Sequence, residues 1–254
     1  MITSFLFIFS HGFQFDFNDQ DAWSFFHSYS FDFSVWEMYG ALLYGGRLVI
    51  IPKMTARDPQ QFLNVLLDQK ITILNQTPSA FYNLLDEILK INSKNLSARY
   101  VIFGGEALKP ARLKAWRQKY PDIKLINMFG ITETCVHVTY KEIGEREIES
   151  DISNIGKPIP TLSTYIMDQY QTLTPLGTPG ELYVGGEGVA RGYLNRPELT
   201  AQRFMEHPYK KGERLYRSGD LIRMNLDGEM IYVERADQQV QLRGFRIELG
   251  EIEN

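Results

Sequence analysis

The first half of the chain alternates between short apolar runs and longer stretches in which apolar residues recur every three or four positions. Short apolar runs are typical of buried strands, and the longer period is typical of helices packed on one face. In chain order the pattern predicts a strand at 47–51, a helix at 59–69, a strand at 71–74, a helix at 79–91, a strand at 98–103, a helix at 109–119 and a strand at 123–127. This order of elements predicts an α/β fold built from βαβ units around a parallel sheet.

The pattern changes after Gly144 to short apolar pieces separated by Gly, Pro and Asp turns. We predict strands there at 164–167, 181–184, 221–224 and 229–233, which together indicate a small β-barrel or meander. The chain therefore divides into an α/β subdomain at 1–143, a barrel-like subdomain at 144–236, and a last segment at 237–254 that begins another unit without completing it.

The ends of the predicted parallel strands are where a ligand site is expected. In open α/β sheets, ligands bind outside the carboxyl ends of the strands. Three of the predicted strands deliver Asn75, Gly104 and Met128 to the following loops. We therefore expect a small-molecule site close to these three residues.

Composition narrows the class of protein. The chain has 254 residues, 27 Lys and Arg against 31 Asp and Glu, and 44% hydrophobic residues, which is typical of a soluble globular protein and not of a disordered or fibrous one. The net charge of −4 gives no reason to expect a nucleic acid partner. The single cysteine, Cys135, cannot form an internal disulfide, which favours a reducing compartment and hence the cytoplasm.

The opening stretch 1–10 (MITSFLFIFS) is the one candidate targeting segment. It lacks the basic start and small-residue cleavage site of a signal peptide, and it is shorter than the roughly 18 apolar residues of a membrane-spanning helix. We therefore predict a buried strand at 1–10 and no membrane association.

The segment 127–134 (NMFGITET) follows a predicted strand and suits a nucleotide. Gly130 allows a ligand close to the backbone, and Phe129 can stack on a base. Thr132 can bond a phosphate oxygen, and Glu133 can hold Mg²⁺. A turn followed by a helix N-cap explains the same residues equally well.

Three further segments carry polar residues next to glycine. The GGE sequence at 104–106 suits either a ligand loop or a plain turn. Asp220 in YRSGDL can take both hydroxyls of a ribose, or it can stabilise a β-turn. The segment 234–251, which contains Arg235, Asp237, Arg243, Gly244 and Arg246, is also typical of a solvated, salt-bridged strand and helix start.

Taken together and in this order, these segments resemble one family, the adenylation domains of nonribosomal peptide synthetases within the adenylate-forming ligase superfamily. The resemblance runs through essentially the whole chain. The blocks that carry it are FDFSVWEMYGALLYGGRLVIIP (31–52), NQTPSAF (75–81), NMFGITET (127–134), GELYVGGEGVARGYLNRPELTAQRF (180–204), YRSGDL (216–221) and ERADQQVQLRGFRIELGEIE (234–253).

The resemblance implies an enzyme that uses ATP and Mg²⁺ to convert an amino acid to its aminoacyl adenylate. The aminoacyl group is then transferred to the phosphopantetheine thiol of a peptidyl carrier domain, in an assembly that also contains a condensation domain. The implied nucleotide site consists of Gly105, Glu106, Asn127, Phe129, Gly130, Asp220, Tyr232 and Arg235. Within it, Phe129 stacks on adenine, Asp220 binds the ribose, Thr132 the phosphate and Glu133 the Mg²⁺, while Asp237 is the implied hinge.

The same resemblance implies an amino-acid pocket. The matching positions spell DFWNIGMVH, which resembles the signature of threonine-activating domains, and they are Asp32, Phe33, Trp36, Asn75, Ile102, Gly104, Met128, Val136 and His137. Asp32 would pair with the substrate α-ammonium; without the resemblance it is a plausible turn or N-cap residue. Asn75 and His137 would bond a hydroxyl that valine lacks, whereas serine would be excluded less well. His27 matches the position near the substrate carboxylate.

The chain also departs from the family. A complete adenylation domain is longer and carries a phosphate loop rich in Gly, Ser and Thr and a catalytic lysine, and neither occurs in this sequence. Gln241 stands where the family often has lysine. We therefore expect the fold to be incomplete at both ends.

Three hypotheses follow for the function of this chain. The first is that it is a fragment of a threonine-activating domain. The second is that it binds nucleotide or amino acid, or assembles with a partner chain, and catalyses no reaction. The third is a ligase for an acid without an amino group, which Asp32 disfavours.

Overall fold

A computed structural model gives the architecture of the protein. It describes residues 14–91, 96–237, 239–242 and 245–247. The strand predicted at 1–10 lies outside the described residues, as do Arg243, Gly244 and the segment 248–254.

Strands and short helices alternate in the first half and strands dominate the second. The strands are β1 (Ala22–Phe25), β2 (Arg47–Ile50), β3 (Ile73–Gln76), β4 (Tyr100–Phe103), β5 (Lys124–Asn127), β6 (Thr139–Glu142), β7 (Asn154–Pro158), β8 (Leu162–Met167), β9 (Gly180–Gly186), β10 (Phe204–Glu206), β11 (Arg214–Met224), β12 (Met230–Arg235), β13 (Val240–Leu242) and β14 (Phe245–Ile247). The helices are α1 (Phe33–Leu43), α2 (Lys53–Ala56), α3 (Pro59–Asp68), α4 (Pro78–Lys90), α5 (Lys114–Lys119), α6 (Glu145–Ser150) and α7 (Pro197–Arg203), with 3₁₀ turns at Pro110–Leu113 and Thr132–Thr134.

The first half forms the predicted parallel sheet. Its strand order is β2-β1-β3-β4-β5, with every neighbouring pair parallel, and β6 then adds to β5 in the antiparallel sense. Successive residues of β4 belong to different cores: Ile102 packs with Trp36, and Val101 packs with Phe81. The sheet is therefore covered on both faces, as expected of parallel strands.

Helix starts in this half follow from local sequence. The Asp58 side chain accepts hydrogen bonds from the backbone N–H groups of Gln60 and Gln61, and proline follows it at the first position of α3. Thr77 caps α4 in the same way, again before a proline. Side-chain caps and N-terminal proline both stabilise the first turn of a helix, so these starts are encoded locally.

The strand-rich second half is also confirmed, in the order β7-β12-β11-β9-β8 with β10 beside β11. All of these pairs are antiparallel. Among the described residues no pairing joins β8 to β7, so the sheet of the predicted barrel or meander is open in this part of the chain. The sheet also runs across the predicted boundary at 143, because Thr139 of β6 pairs with Pro158 of β7. The bounds of the three regions stay a prediction.

Three local features differ from expectation. The helix predicted at 109–119 is a 3₁₀ turn followed by the six-residue α5. The sequence pattern does not predict helix α1, because its apolar residues show no clear helical period. Asn75, expected in a loop, lies inside β3 and is fully buried.

Candidate functional site

The carboxyl ends of β3, β4 and β5 meet at a cleft, in the place where the strand order predicts a site. Gly104 directly follows β4 and Met128 directly follows β5. The cleft has a volume of about 1660 Å³. The predicted site residues that line it are His27, Asp32, Gly105, Phe129, Gly130, Thr132, Asp220 and Arg235.

The predicted amino-acid pocket is a buried group beneath this cleft, which we call the pocket cluster. Its members are Phe33, Trp36, Asn75, Ile102, Met128, Val136 and His137. The Trp36 indole N–H donates to Asn75 Oδ1 at 2.9 Å, and the His137 ring meets Trp36 edge-on at 4.8 Å. A Cβ at Gly104 would lie 3.1 Å from the Phe33 ring, so a glycine here lets the ring pack against the strand end.

Several polar atoms of the pocket cluster have no partner among the described residues. Asn75 Nδ2 and both ring nitrogens of His137 are buried there without a hydrogen bond. Burial lowers the pKa of His137 to about 3, so the imidazole is neutral at physiological pH. A neutral imidazole offers one donor and one acceptor, so the cluster can bond a ligand hydroxyl in either sense.

The backbone that carries His137 is strained. Cys135 and Val136 both have left-handed φ angles, of 76° and 67°. This conformation is uncommon for any residue except glycine, and it is especially unfavourable for Val136, which is β-branched. The carbonyl oxygen of Val136 would lie 1.5 Å from a Cβ at Gly130. The approach of this strained loop therefore requires a glycine at 130, and the role of Gly130 in ligand binding stays a prediction.

Asp32 lies half-buried at the start of α1, and its side chain does not form the usual N-cap hydrogen bond to the first turn as far as the described residues show. Its carboxylate accepts from the Thr132 hydroxyl and from the adjacent backbone N–H of Phe33. Burial raises the pKa of Asp32, and this outweighs the opposing effect of the Thr132 hydrogen bond. A carboxylate held partly out of water is suited to an ammonium group.

His27 depends on a residue that the sequence analysis missed. Glu37 is fully buried on α1, and its Oε1 lies 2.9 Å from His27 Nδ1. The same carboxylate accepts from the backbone N–H groups of Phe26 and His27. The imidazole stacks on Phe33 at 4.5 Å, and its Nε2 is buried without a partner in the described part of the chain. A carboxylate within the apolar sequence SVWEMYG was the available signal for Glu37.

A second, smaller cavity adjoins the cleft, and we call it the nucleotide cavity. The Phe129 and Tyr232 rings lie 6.4 Å apart at this cavity. Its lining includes the predicted nucleotide residues Gly105, Glu106, Asn127, Phe129, Gly130, Asp220 and Tyr232. The structure thus brings together residues from four separate stretches of the chain, at 105–106, 127–130, 220 and 232.

The charged edge of this cavity is an ion-pair chain. Arg235 contacts Asp220 at 3.1 Å and Asp237 at 2.6 Å, and Arg203 also reaches Asp237 at 3.3 Å. Burial raises the pKa of Asp220 to about 6, although Arg235 opposes the shift. The alternative of Asp220 as an exposed turn residue is wrong, since it is buried within β11. The hinge role of Asp237 stays a prediction.

Two acidic residues are engaged by protein groups. The Glu106 carboxylate accepts from the backbone N–H and the hydroxyl of Ser79, at 3.0 and 2.9 Å, and so stabilises the start of α4. Glu133 is buried and accepts from the Tyr193 hydroxyl at 2.6 Å. Among the described residues no group of three or more His, Cys, Asp or Glu side chains is placed to hold a metal ion.

Comparison with known families settles the class of protein. The sequence profile of a family described as AMP-binding enzyme matches residues 1–194. The chain belongs to the AMP-binding enzyme family.

Relatives within the AMP-binding family confirm the resemblance to nonribosomal peptide synthetases. A plipastatin synthase of Bacillus subtilis is 57% identical over 94% of the chain, and syringomycin synthase SyrB1 of Pseudomonas syringae is 47% identical over 93%. The solved Vibrio cholerae adenylation domain AlmE, in complex with glycyl-adenosine-5'-phosphate, matches 93% of the chain with a TM-score of 0.81 and 29% identity. The chain spans 9%, 39% and 44% of these three proteins.

The AMP-binding assignment also agrees with the observed fold, since the mixed sheet is that of solved adenylation domains. In the described part of the chain, no helix has the length and apolar character needed to cross a bilayer.

Proposed function

We propose that this chain is the part of an amino-acid adenylation domain that recognises L-threonine and the nucleoside of ATP. The product would be threonyl adenylate, formed with release of pyrophosphate. Its threonyl group would then pass to the phosphopantetheine thiol of a carrier domain beside a condensation domain, with release of AMP. The observation that carries the proposal is the pocket cluster, whose buried Asn75 and His137 keep polar atoms without partners among the described residues, inside an otherwise apolar group.

Threonine suits this group by its chemistry, since its side chain carries one methyl group and one hydroxyl. Trp36, Ile102, Met128 and Val136 offer apolar contact to a methyl group. The amide of Asn75 and the imidazole of His137 offer hydrogen bonds to a hydroxyl. Valine would leave these atoms unpaired, which costs about 1–3 kcal/mol for each buried group. Serine differs from threonine only by the methyl group, so the discrimination against it is smaller.

Asp32 and His27 are the proposed contacts to the amino acid backbone. The Asp32 carboxylate, desolvated beneath the cleft, would pair with the α-ammonium. Glu37 holds His27 by Nδ1, so Nε2 is the imidazole atom that remains to contact the substrate carboxylate. Both residues act by orienting the substrate, which is the main contribution a protein makes to displacement at phosphorus.

The residues that line the nucleotide cavity have the chemistry to contact an adenine nucleotide. Phe129 and Tyr232 provide ring faces, and Asp220 provides a carboxylate for the ribose hydroxyls. Arg235 supplies positive charge beside Asp220. Thr132, exposed in the cleft, would donate to a phosphate oxygen once the α-ammonium replaces its hydroxyl as the donor to Asp32.

Glu133 is the residue that would hold Mg²⁺. Mg²⁺ in nucleotide sites is held by one or two carboxylates together with phosphate oxygens, so a single carboxylate is sufficient. Glu133 is buried, and one of its oxygens is fixed by Tyr193. When bound, the ion would neutralise phosphate charge.

A second candidate is that this chain binds its ligands without catalysing adenylation. The observation that favours it is coverage, because the chain spans 44% of the solved adenylation domain AlmE. The phosphate loop and lysine that the resemblance implies do not occur in the sequence.

The test is threonine-dependent exchange of labelled pyrophosphate into ATP, with valine and serine as competitors. It is run on this chain and on a longer form that supplies the phosphate loop and the lysine. Exchange in the longer form alone, with threonine preferred, would support a threonine-recognising part. Exchange by the 254-residue chain would show that the two absent parts are dispensable. No exchange in either form would favour binding without catalysis, and preference for valine would contradict the threonine proposal.

A further inference from the structure

One wall of the nucleotide cavity rests on a polar network that lies behind it. Asn127 is buried at the end of β5 and lines the cavity. Its Nδ2 donates to the backbone carbonyl oxygen of Asn154 at 2.9 Å. Because a carbonyl oxygen can only accept, this contact fixes which way the amide faces. The amide atom that Asn127 can offer to a ligand is therefore Oδ1, an acceptor.

Asn154 is itself held from three sides. Its Nδ2 donates to Glu229 Oε2 at 2.7 Å, and its Oδ1 accepts from the Gly156 backbone N–H at 2.9 Å. Its main chain pairs with Ile231 of β12. The next residue of β12, Tyr232, lines the same cavity as Asn127. Asn154 thus connects two walls of the nucleotide cavity.

Glu229 is anchored in turn. Lys141 Nζ lies 2.7 Å from Glu229 Oε1 and 3.1 Å from Glu147 Oε1. Burial acts to raise the pKa of Glu229, but the hydrogen bonds from Lys141 and Asn154 outweigh it and lower the pKa. Glu229 is therefore ionised at neutral pH and remains a strong acceptor for the Asn154 amide. These contacts link α6, β6 and the β11–β12 turn to the carbonyl that orients Asn127.

We propose that Asn154, held by Glu229 and Lys141, is a positioning residue that selects the purine. By fixing the Asn127 amide with Oδ1 toward the cavity, it favours a base with an amino group at N6 over a base with a carbonyl at O6. The inference rests on the proposed function, since it takes this cavity as the site of the base.

The physical basis is the opposite polarity of the two bases. The amino group of adenine donates to an acceptor, whereas the O6 of hypoxanthine presents a second acceptor to Asn127 Oδ1. Two facing acceptors leave both atoms unpaired. If the network is loosened, the Asn154 carbonyl oxygen can move away from Asn127, and the amide can then turn over and donate from Nδ2 to O6. Discrimination between the bases then falls, although the fold and the stacking contacts remain.

The experiment measures the affinities of AMP and inosine monophosphate for the full 254-residue chain by calorimetry. Asn154→Ala removes the side chain that ties this segment to Glu229. Glu229→Gln keeps the shape but removes the charge that pairs with Lys141. The matched control is Arg146→Ala, which deletes the exposed ion pair with Asp227 on the same turn. Arg146 acts on Glu147 and Glu229 only by a minor through-space charge effect, and no described hydrogen bond joins it to the network.

The wild type is expected to prefer AMP by about tenfold, the size of one well-placed hydrogen bond. Asn154→Ala and Glu229→Gln are each expected to reduce this ratio by about fivefold, and Arg146→Ala is expected to leave it unchanged. Thermal unfolding establishes that each variant is folded. Should Asn154→Ala not fold, Glu229→Gln carries the test.

Two results would overturn this inference and leave the proposed nucleotide site intact. One is equal affinity of the wild type for AMP and inosine monophosphate, and the other is folded variants that keep the wild-type ratio of these affinities. Failure of the wild type to bind either nucleotide would instead overturn the proposed nucleotide site, and the inference with it. The ratio distinguishes positioning from a merely structural role, because a loss of stability weakens both nucleotides together.

Discussion

The pocket cluster and the nucleotide cavity lie side by side but treat their polar groups in opposite ways. In the pocket cluster, Asn75 Nδ2 and both nitrogens of His137 are buried without partners among the residues that the structure describes. Around the nucleotide cavity, Asp220 is paired with Arg235, and Asn127 is tied to Asn154. Among the described residues, these polar atoms of the pocket cluster therefore lack protein partners, whereas Asp220 and Asn127 at the nucleotide cavity have them.

This difference indicates two ways of building specificity. A preformed network, such as the Asp220–Arg235 ion pair, would orient a bound ligand at little cost of reorganisation. Unpaired buried atoms lower stability until a ligand satisfies them, so they discriminate strongly between similar ligands. The nucleotide cavity is thus expected to depend on its ion pairs, and the pocket cluster on its ligand.

The largest expected effect comes from removing the cation of the nucleotide cavity. Arg235→Ala leaves Asp220 buried without its partner, and breaking such a buried pair costs about 3–5 kcal/mol. We expect a drop of this size in the free energy of unfolding, measured by urea denaturation, together with weaker binding of AMP.

The matched control is Arg146→Ala. Arg146 pairs with Asp227 at 2.7 Å, and both side chains are exposed. Exposed pairs contribute little to stability, so this variant should remain close to wild type. Equal losses for the two variants would show that the Asp220 pair is no more important than a surface contact.

The next effect should separate the two regions. Asp32→Asn keeps the size of the side chain but removes the charge proposed to pair with the α-ammonium. A hydrogen bond to a charged group contributes about 1.5–3 kcal/mol, so threonine binding should weaken by about tenfold to a hundredfold. AMP binding, measured by calorimetry on the same sample, should be unchanged.

Stability provides a second readout for Asp32. Burial raises the pKa of this carboxyl, so its ionised form opposes folding at neutral pH, and Asp32→Asn should not destabilise the protein. The exposed Asp68→Asn is the control, with neither effect expected. Threonine binding at the wild-type level by Asp32→Asn would remove Asp32 from the site.

A pH dependence follows from the buried imidazole. His137 has a pKa of about 3 in the folded protein, against 6.5 for a free imidazole. Between these values the unfolded chain takes up a proton that the folded one does not, so the free energy of unfolding falls as the pH falls below 6.5. Through His137 alone, the expected loss from pH 7 to pH 5 is about 2 kcal/mol. Proton uptake by Asp220 in the folded protein, where its pKa is raised to about 6, offsets part of this loss, so the contribution of His137 is the difference between the wild type and His137→Leu. Urea denaturation at both pH values measures it, and His137→Leu should lose less over the same range.

Most of the fold could be predicted from sequence, because its signals are local. The helix starts at Asp58 and Thr77 and the apolar runs of β3 and β4 all depend on residues near each other in the chain. Helix α1 could not be predicted in the same way. It is apolar on several sides, so its position depends on packing between distant segments.

The candidate site divides along the same line. Motif resemblance brought out Asp32, His137 and Asp220, which the structure places at the cleft, the pocket cluster and the nucleotide cavity. It could not show that Glu37 holds His27, or that Val136 forces a glycine at 130. Those contacts join residues whose proximity exists only after folding.

The smallest expected effect tests the pocket cluster by its selectivity. His137→Leu replaces the unpaired imidazole by an apolar group that forms no hydrogen bonds. Bound valine then no longer leaves the imidazole unpaired, while bound threonine loses a hydrogen bond. We expect the preference for threonine over valine, measured as a ratio of affinities, to shrink by about tenfold. The preference for threonine over serine should change little, because it depends on the methyl contact with groups such as Ile102 and Met128. If both ratios change together, the variant has altered the shape of the pocket, and an unaltered valine ratio would mean that the hydroxyl is recognised elsewhere.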